Sequence, residues 1–99
     1  MITAKEARSV AEKAELEIIN KCKLIAERDI LPEIEKIIIK ISSEGRRQIN
    51  YSLKRADLSS VEESLIMNTV ITELEKAGYR IYNLDYREHP AISIVWYEW

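Results

Sequence analysis

The chain has 99 residues and a net charge of −2, with 46% hydrophobic and 32% charged residues. That length fits one domain with one modest core, and the composition is that of a folded protein rather than a disordered one. The near-balanced charge excludes the surface as a whole as a partner for duplex nucleic acid or an acidic membrane, so such contacts would need a local patch.

Cys22 stands alone, so neither an internal disulfide nor a cysteine-rich zinc site can form, and it reads as a small apolar residue in a reducing compartment. No run of about 18 apolar residues offers a bilayer span. The first residues lack the apolar core of a signal peptide. The expected location is the cytoplasm. The expected organisation is one domain over 1–99.

Thr3 and Glu6 have the spacing of a capping box, which starts a helix almost at the first residue. Ala4, Ala11, Ile18 and Ile25 recur every seven residues, with Ala7 and Ala14 between them and Cys22 beside Lys21, which breaks the seam. The pattern resembles a heptad seam, small at its start and larger at its end. Glu17 stands four residues before Lys21, a favourable order for a helical ion pair. Two readings stay open for this stretch. In one, residues 1–28 form an oligomerisation or partner arm on a compact unit, 29–99. In the other, the helix packs on the domain's own core. Glu12 and Glu15 read as a solvated face.

Pro32 interrupts the helical pattern, so the helix either kinks there or restarts near Asp29. Beyond it, Ile30, Ile34, Ile37, Ile38 and Ile41 make one stripe, and Ile39 points away. Gly45 ends this helix. Residues 48–53 alternate cleanly, with Ile49, Tyr51 and Leu53 inward and Gln48, Asn50 and Ser52 outward. Ser59 with Glu62, or Ser60 with Glu63, fits a second capping box. The helix that follows carries Ile66, Met67, Val70, Ile71, Leu74 and Ala77 on one stripe, leaving Val61 and Leu65 to find another cover. Gly78 supplies the stop.

Two strands follow, over 79–84 and 91–99. Neither separates apolar from polar faces, so the second face of their sheet is expected to be partly buried, by more material than this chain alone supplies. The fold class is α+β, with a kinked or double helix followed by strand, helix, strand, strand. The three strands form a mostly antiparallel sheet with helices on one face.

Chemistry-bearing residues are few. His89 is the one histidine and precedes Pro90 in the last turn, with Asp85 and Glu88 close by in sequence. Neighbours in a turn do not make a base with an orienting carboxylate and a nucleophile, so it reads as a solvent-exposed turn residue. Both glycines are helix stops, so no phosphate-cradling loop is present. No catalytic residue, metal ligand or cofactor is expected. Arg46, Arg47, Lys54, Arg55 and Arg80 are interleaved with Tyr51 and Tyr82, and all the aromatic residues lie in the second half of the chain. Arginine forks match phosphates and aromatic faces stack on bases, so this set can form a nucleotide site. Equally, the arginines can solvate strand ends while the aromatics fill a small core, and no RNA-binding signature is present. The residues expected at an interface are Ala4, Ala7, Ala11, Ala14, Ile18, Cys22, Ile25, Ile39 and Leu65.

The series Glu35 to Ile41-Ser42-Ser43-Glu44-Gly45-Arg46-Arg47-Gln48-Ile49, then Val70 to Leu74-Glu75-Lys76-Ala77-Gly78-Tyr79-Arg80-Ile81, then Ser93-Ile94-Val95-Trp96, resembles small early proteins of tailed bacteriophages. The resemblance spans helix ends and strands over residues 33–97 and carries no catalytic signature. It implies a non-catalytic binding protein of counter-defence or host takeover. One form would be a homo-oligomer that sequesters a nucleotide immune signal. The other would be an inhibitor of a host enzyme; the N-terminal helix lies outside the resemblance, and such an inhibitor would use that helix or an exposed sheet face.

Overall fold

The structure is a computed structural model and describes residues 1–53, 55, 57–84 and 89–97. Helix α1, Ala4–Ile25, runs through a π-helical turn, Ala26–Ile30, into α2, Leu31–Ser43. Strand β1, Gln48–Ser52, follows, then α3, Ser60–Lys76, β2, Arg80–Leu84, and β3, Ala91–Val95. The expected α+β class is observed, with the helices on one face of a three-stranded sheet.

Pro32 neither kinks the chain sharply nor ends the helix. The backbone stays helical from Ala4 to Ser43, and the Leu31 N–H reaches five residues back to the Ala26 carbonyl. The wider π turn accommodates a proline ring that would press on the carbonyl of Arg28, four residues earlier. It has a second effect. The buried residues Cys22, Ala26, Ile30, Ile34 and Ile38 are spaced by four. In a straight α-helix of 3.6 residues per turn this spacing would drift around the axis. A turn with more residues cancels part of the drift and keeps the five in one line. At 1.5 Å per residue this helical run spans about 60 Å, matching the molecule's long dimension of 63 Å against 26 and 24 Å.

Strand order is β1-β3-β2, with both pairings antiparallel. The last strand is therefore central, and β1-α3-β2 is a split βαβ unit with β3 inserted between its strands. Ile49, Tyr51, Ile81, Ile92, Ile94 and Trp96 meet Ile34, Ile38, Ile66, Met67, Val70 and Leu74 in the core. Tyr79 and Trp96 close one end edge-to-face, with ring centroids 6.0 Å apart at 81°. Of the α3 stripe, Ile71 is only half-buried and Ala77 is exposed, while Leu65 reaches the edge of the core.

The other sheet face is partly buried, but the chain does this alone, against the expectation that it lacks the material, and by a local device. Ala91, Ser93 and Val95 on β3 are 4%, 5% and 2% exposed. They are short residues between longer ones on the flanking strands, Gln48 and Asn50 on one side and Arg80 and Tyr82 on the other. Gln48 Nε2 donates to Ser93 Oγ at 3.0 Å.

The helix ends follow their sequence signals. The Ser59–Glu62 box forms in both directions. Thr3 accepts from the Glu6 N–H at 3.2 Å. Gly45 and Gly78 have φ of +82° and +98°, the left-handed backbone that favours glycine. At each, the next N–H bonds back to the carbonyl five residues earlier, Arg46 to Ile41 and Tyr79 to Leu74, both at 3.1 Å. The Glu17–Lys21 pair expected along the helix is replaced by a tertiary one, because Lys21 Nζ bonds Glu62 Oε2 at 3.0 Å. β3 ends at Val95, short of the expected 99, with one further rung from the Trp96 N–H to the Arg47 carbonyl at 3.0 Å.

Val70 is fully buried between helix and sheet. Val70→Asp places an unpaired charge there, and its Tm is expected to fall by at least about 10 °C. An unchanged melting curve would mean that the buried stripe of α3 is wrongly assigned.

Candidate functional site

The glycine turn at Gly45 delivers Arg46 and Arg47 directly into β1, an edge strand. Together with Gln48, Ile49, Asn50 and Tyr97 they line an open groove of about 500 Å³. Both arginines are exposed, and no ion pair joins either to a carboxylate among the described residues. The strand alternation places Gln48 and Asn50 on the outer face, in rows with Val95 and Arg80 and with Ser93 and Tyr82. Arg80 and Tyr82 thus share this face, two strands across from the groove, at about 10 Å by the strand spacing.

The rest of the basic–aromatic set goes elsewhere. Tyr51 faces the core side, and its hydroxyl donates to Glu33 Oε2 at 3.3 Å. Arg55 is forked between Asp29, at 3.1 Å, and Asp57, at 3.2 and 3.1 Å. The carboxylates of Asp57 and Asp29 hold its guanidinium further above the ordinary value, and the guanidinium in turn holds the Asp57 carboxyl below its own. Asp29, Glu33, Tyr51 and Arg55 border a separate cleft of about 300 Å³, lined with more acid than base. Lys54 lies outside the described residues, as do Asp85, Tyr86, Glu88 and Trp99. Six of the seven residues expected to bind one ligand therefore divide: Arg46 and Arg47 at the groove, Arg80 and Tyr82 across the same face, Tyr51 and Arg55 at an acidic cleft. Tyr97, Gln48 and Asn50 were outside that set, although outward alternation in β1 marked the last two.

His89 is not a solvent-exposed turn residue. Its Nδ1 is 2.8 Å from Glu63 Oε2, and Glu63 is only 4% exposed. The carboxylate sits in the first turn of α3, where the helix N-terminus favours negative charge. The pair ties the approach to β3 to the start of α3, and the Pro90 carbonyl accepts from the Leu53 N–H at 3.1 Å beside it. Glu63 looked in sequence like an alternative capping residue, and nothing local links it to His89. A histidine with an orienting carboxylate is two parts of a general-base system. No described hydroxyl or thiol hydrogen-bonds to the ring as the third. Cys22 is buried, and burial pushes its thiol above the ordinary value, which leaves it unreactive. Among the described residues no three histidine, cysteine or acidic side chains cluster to hold a metal ion.

The expected interface residues also divide. Ala4, Ala7, Ala11, Ala14 and Ile18 lie in a stretch, 1–21, exposed at every position. Cys22 instead joins the core cluster, and Ile25 and Leu65 pack against it. Ile39 and Val61 are 63% and 66% exposed. No described helix is long and apolar enough to cross a membrane. No family model, curated protein or solved structure matches the chain.

Two outcomes test this geometry. His89→Ala strips the buried Glu63 of its partner and is expected to cost about 1–3 kcal/mol in denaturant unfolding. His89→Ala combined with Glu63→Leu should recover part of that loss. An unaltered midpoint for the single variant would show that the pair contributes no stability.

The second is a pH effect. Burial, reinforced by the Glu33 carboxylate, pushes the Tyr51 phenol up to about 12. An unfolded tyrosine titrates near about 10, so between these values the folded state keeps a proton that the unfolded state has lost. Stability should therefore decline as pH rises through this window. The decline should be shallower in Tyr51→Phe, read by denaturant unfolding at stepped alkaline pH. Equal slopes in the two proteins would contradict the burial of this phenol.

Proposed function

We propose that the protein acts by binding rather than by catalysis, and that its ligand is a small phosphate-bearing nucleotide seated in the groove beside β1. The observation that carries this reading is the adjacent pair Arg46 and Arg47, exposed and without a described carboxylate partner, at the mouth of a groove that also holds Tyr97. Guanidinium forks hold phosphate oxygens in bidentate fashion. The Tyr97 ring supplies a stacking surface for a base, and the side-chain amides of Gln48 and Asn50 supply donors and acceptors for its edge. A volume of about 500 Å³ lies within the usual range for small-ligand sites. The net charge of −2 argues against a long polyanion and for a ligand small enough to see only the local patch. Sequestration of a nucleotide signal in phage counter-defence is the biological setting in this proposal, and it is carried by the resemblance in sequence.

The test is calorimetric titration with a panel of mononucleotides and cyclic dinucleotides at two salt concentrations. Binding should weaken with salt, and Arg46→Glu with Arg47→Glu should weaken it at least about tenfold without changing Tm. Absence of binding across the panel at millimolar ligand would overturn the nucleotide reading. A second reading, inhibition of a host protein, is favoured by the exposed length of α1. It predicts that truncating the arm abolishes function while the arginine variants leave it intact.

A further inference from the structure

The first 21 residues are exposed at every position, yet they carry Met1, Ile2, Val10, Leu16, Ile18 and Ile19 as well as the alanine stripe. Helices in proteins draw most of their stability from tertiary packing of an apolar face, and this stretch has little of it. Further along the same helix, the stripe continues into Cys22, which is 1% exposed and joins Ala26 in the core. The face that is covered below Lys21 is thus bare above it. Charge and spacing select what covers it.

We propose that the arms of two copies of this chain pair antiparallel about a two-fold axis, with Ala7 against the partner's Ile18 and Ala11 against the partner's Ala14. This goes beyond nucleotide binding and stands without it. Four observations select the arrangement. A parallel pair in register would set Lys21 against the partner's Lys21 across the seam, and would give Arg8 and Glu15 no opposite charge at the flanking positions. An antiparallel pair one heptad shorter would bring Arg8 beside the partner's Arg8. One heptad displaced the other way, it would bring Glu15 beside the partner's Glu15. Only the intermediate register sets Arg8 beside the partner's Glu15, and symmetry repeats that pair.

The ends also fit. In this register Ala4 reaches the level of the partner's Lys21, which is drawn aside to Glu62 of its own α3 at 3.0 Å. Met1 and Ile2 then extend past that level toward the partner's body, where Val61, 66% exposed in the single chain, offers apolar surface. Alanine along the middle of the seam lets the axes approach toward the lower end of the usual 8–10 Å range. Leucine-sized residues there would hold them apart.

The experiment uses the full chain. Sedimentation equilibrium at tens of micromolar should report twice the chain mass of 11.6 kDa. Arg8→Glu should weaken the dimer about tenfold, because two attractive pairs become repulsive. Adding Glu15→Arg should restore it. Helicity and Tm of the body should change little in both proteins, since the exchanged side chains are exposed. Orientation is read separately in a Cys22→Ala background by oxidising Ala4→Cys, which should then form no disulfide dimer. An equimolar mixture of Arg8→Cys and Glu15→Cys should form mixed dimers in preference to either self-dimer. A species of 11.6 kDa alone would overturn the proposal, as would an Ala4→Cys disulfide dimer or a charge exchange that fails to rescue Arg8→Glu.

Discussion

The line of buried residues Cys22, Ala26, Ile30, Ile34 and Ile38 is the seam on which the domain is assembled. Its lower part packs against the sheet, and its upper part meets the start of α3. Because the residues are four apart, the line stays straight only if the helix takes up extra residues in one turn. The π turn at Ala26–Ile30 supplies them at the place where Pro32 would otherwise disturb the backbone. One irregularity therefore solves two problems, a missing proline N–H and a drifting apolar face. Were the helix to restart at a true break, Cys22 and Ile34 would no longer face the same core.

From that seam the positions of both candidate surfaces follow. Below it, α2 ends at Gly45, and the left-handed residue turns the chain so that Arg46 and Arg47 enter β1. Above it, the residues of α1 before Lys21 are all exposed, and the Glu62 carboxylate on Lys21 marks the edge of the body among the described residues. The body is thus a compact α+β unit with a basic groove at one sheet edge and a helical arm projecting from the far end. The small residues at the centre of β3 keep the outer sheet face shallow. A helix could not be laid on that face without first displacing Arg80 and Tyr82.

Charge makes a similar division. Arg55 lies within the same run of sequence as the groove arginines and has the same chemistry, yet Asp29 and Asp57 neutralise it. Asp29 is brought to it by the π turn, from 26 positions away in sequence. His89 is likewise claimed by Glu63 across the fold. A cation with its own carboxylate offers little to an incoming phosphate. One without such a partner keeps most of its capacity.

Local signals were strong enough in the sequence to place nearly every element. The Ser59–Glu62 box, the two glycine stops, the isoleucine stripe of α2 and the alternation of 48–53 each depend on neighbours within a few residues, and each is realised. The sequence also indicated that the second sheet face would be partly buried, from the lack of clean alternation in the last strands. What tertiary structure decided was every pairing between distant positions. Sequence periodicity does not show that β3 would sit between β1 and β2, that Lys21 would choose Glu62 over Glu17, or that Glu63 would hold His89. The division of the basic–aromatic set and of the alanine seam belongs to the same class. Periodicity shows which residues share a face, but whether that face is covered depends on where the rest of the chain goes.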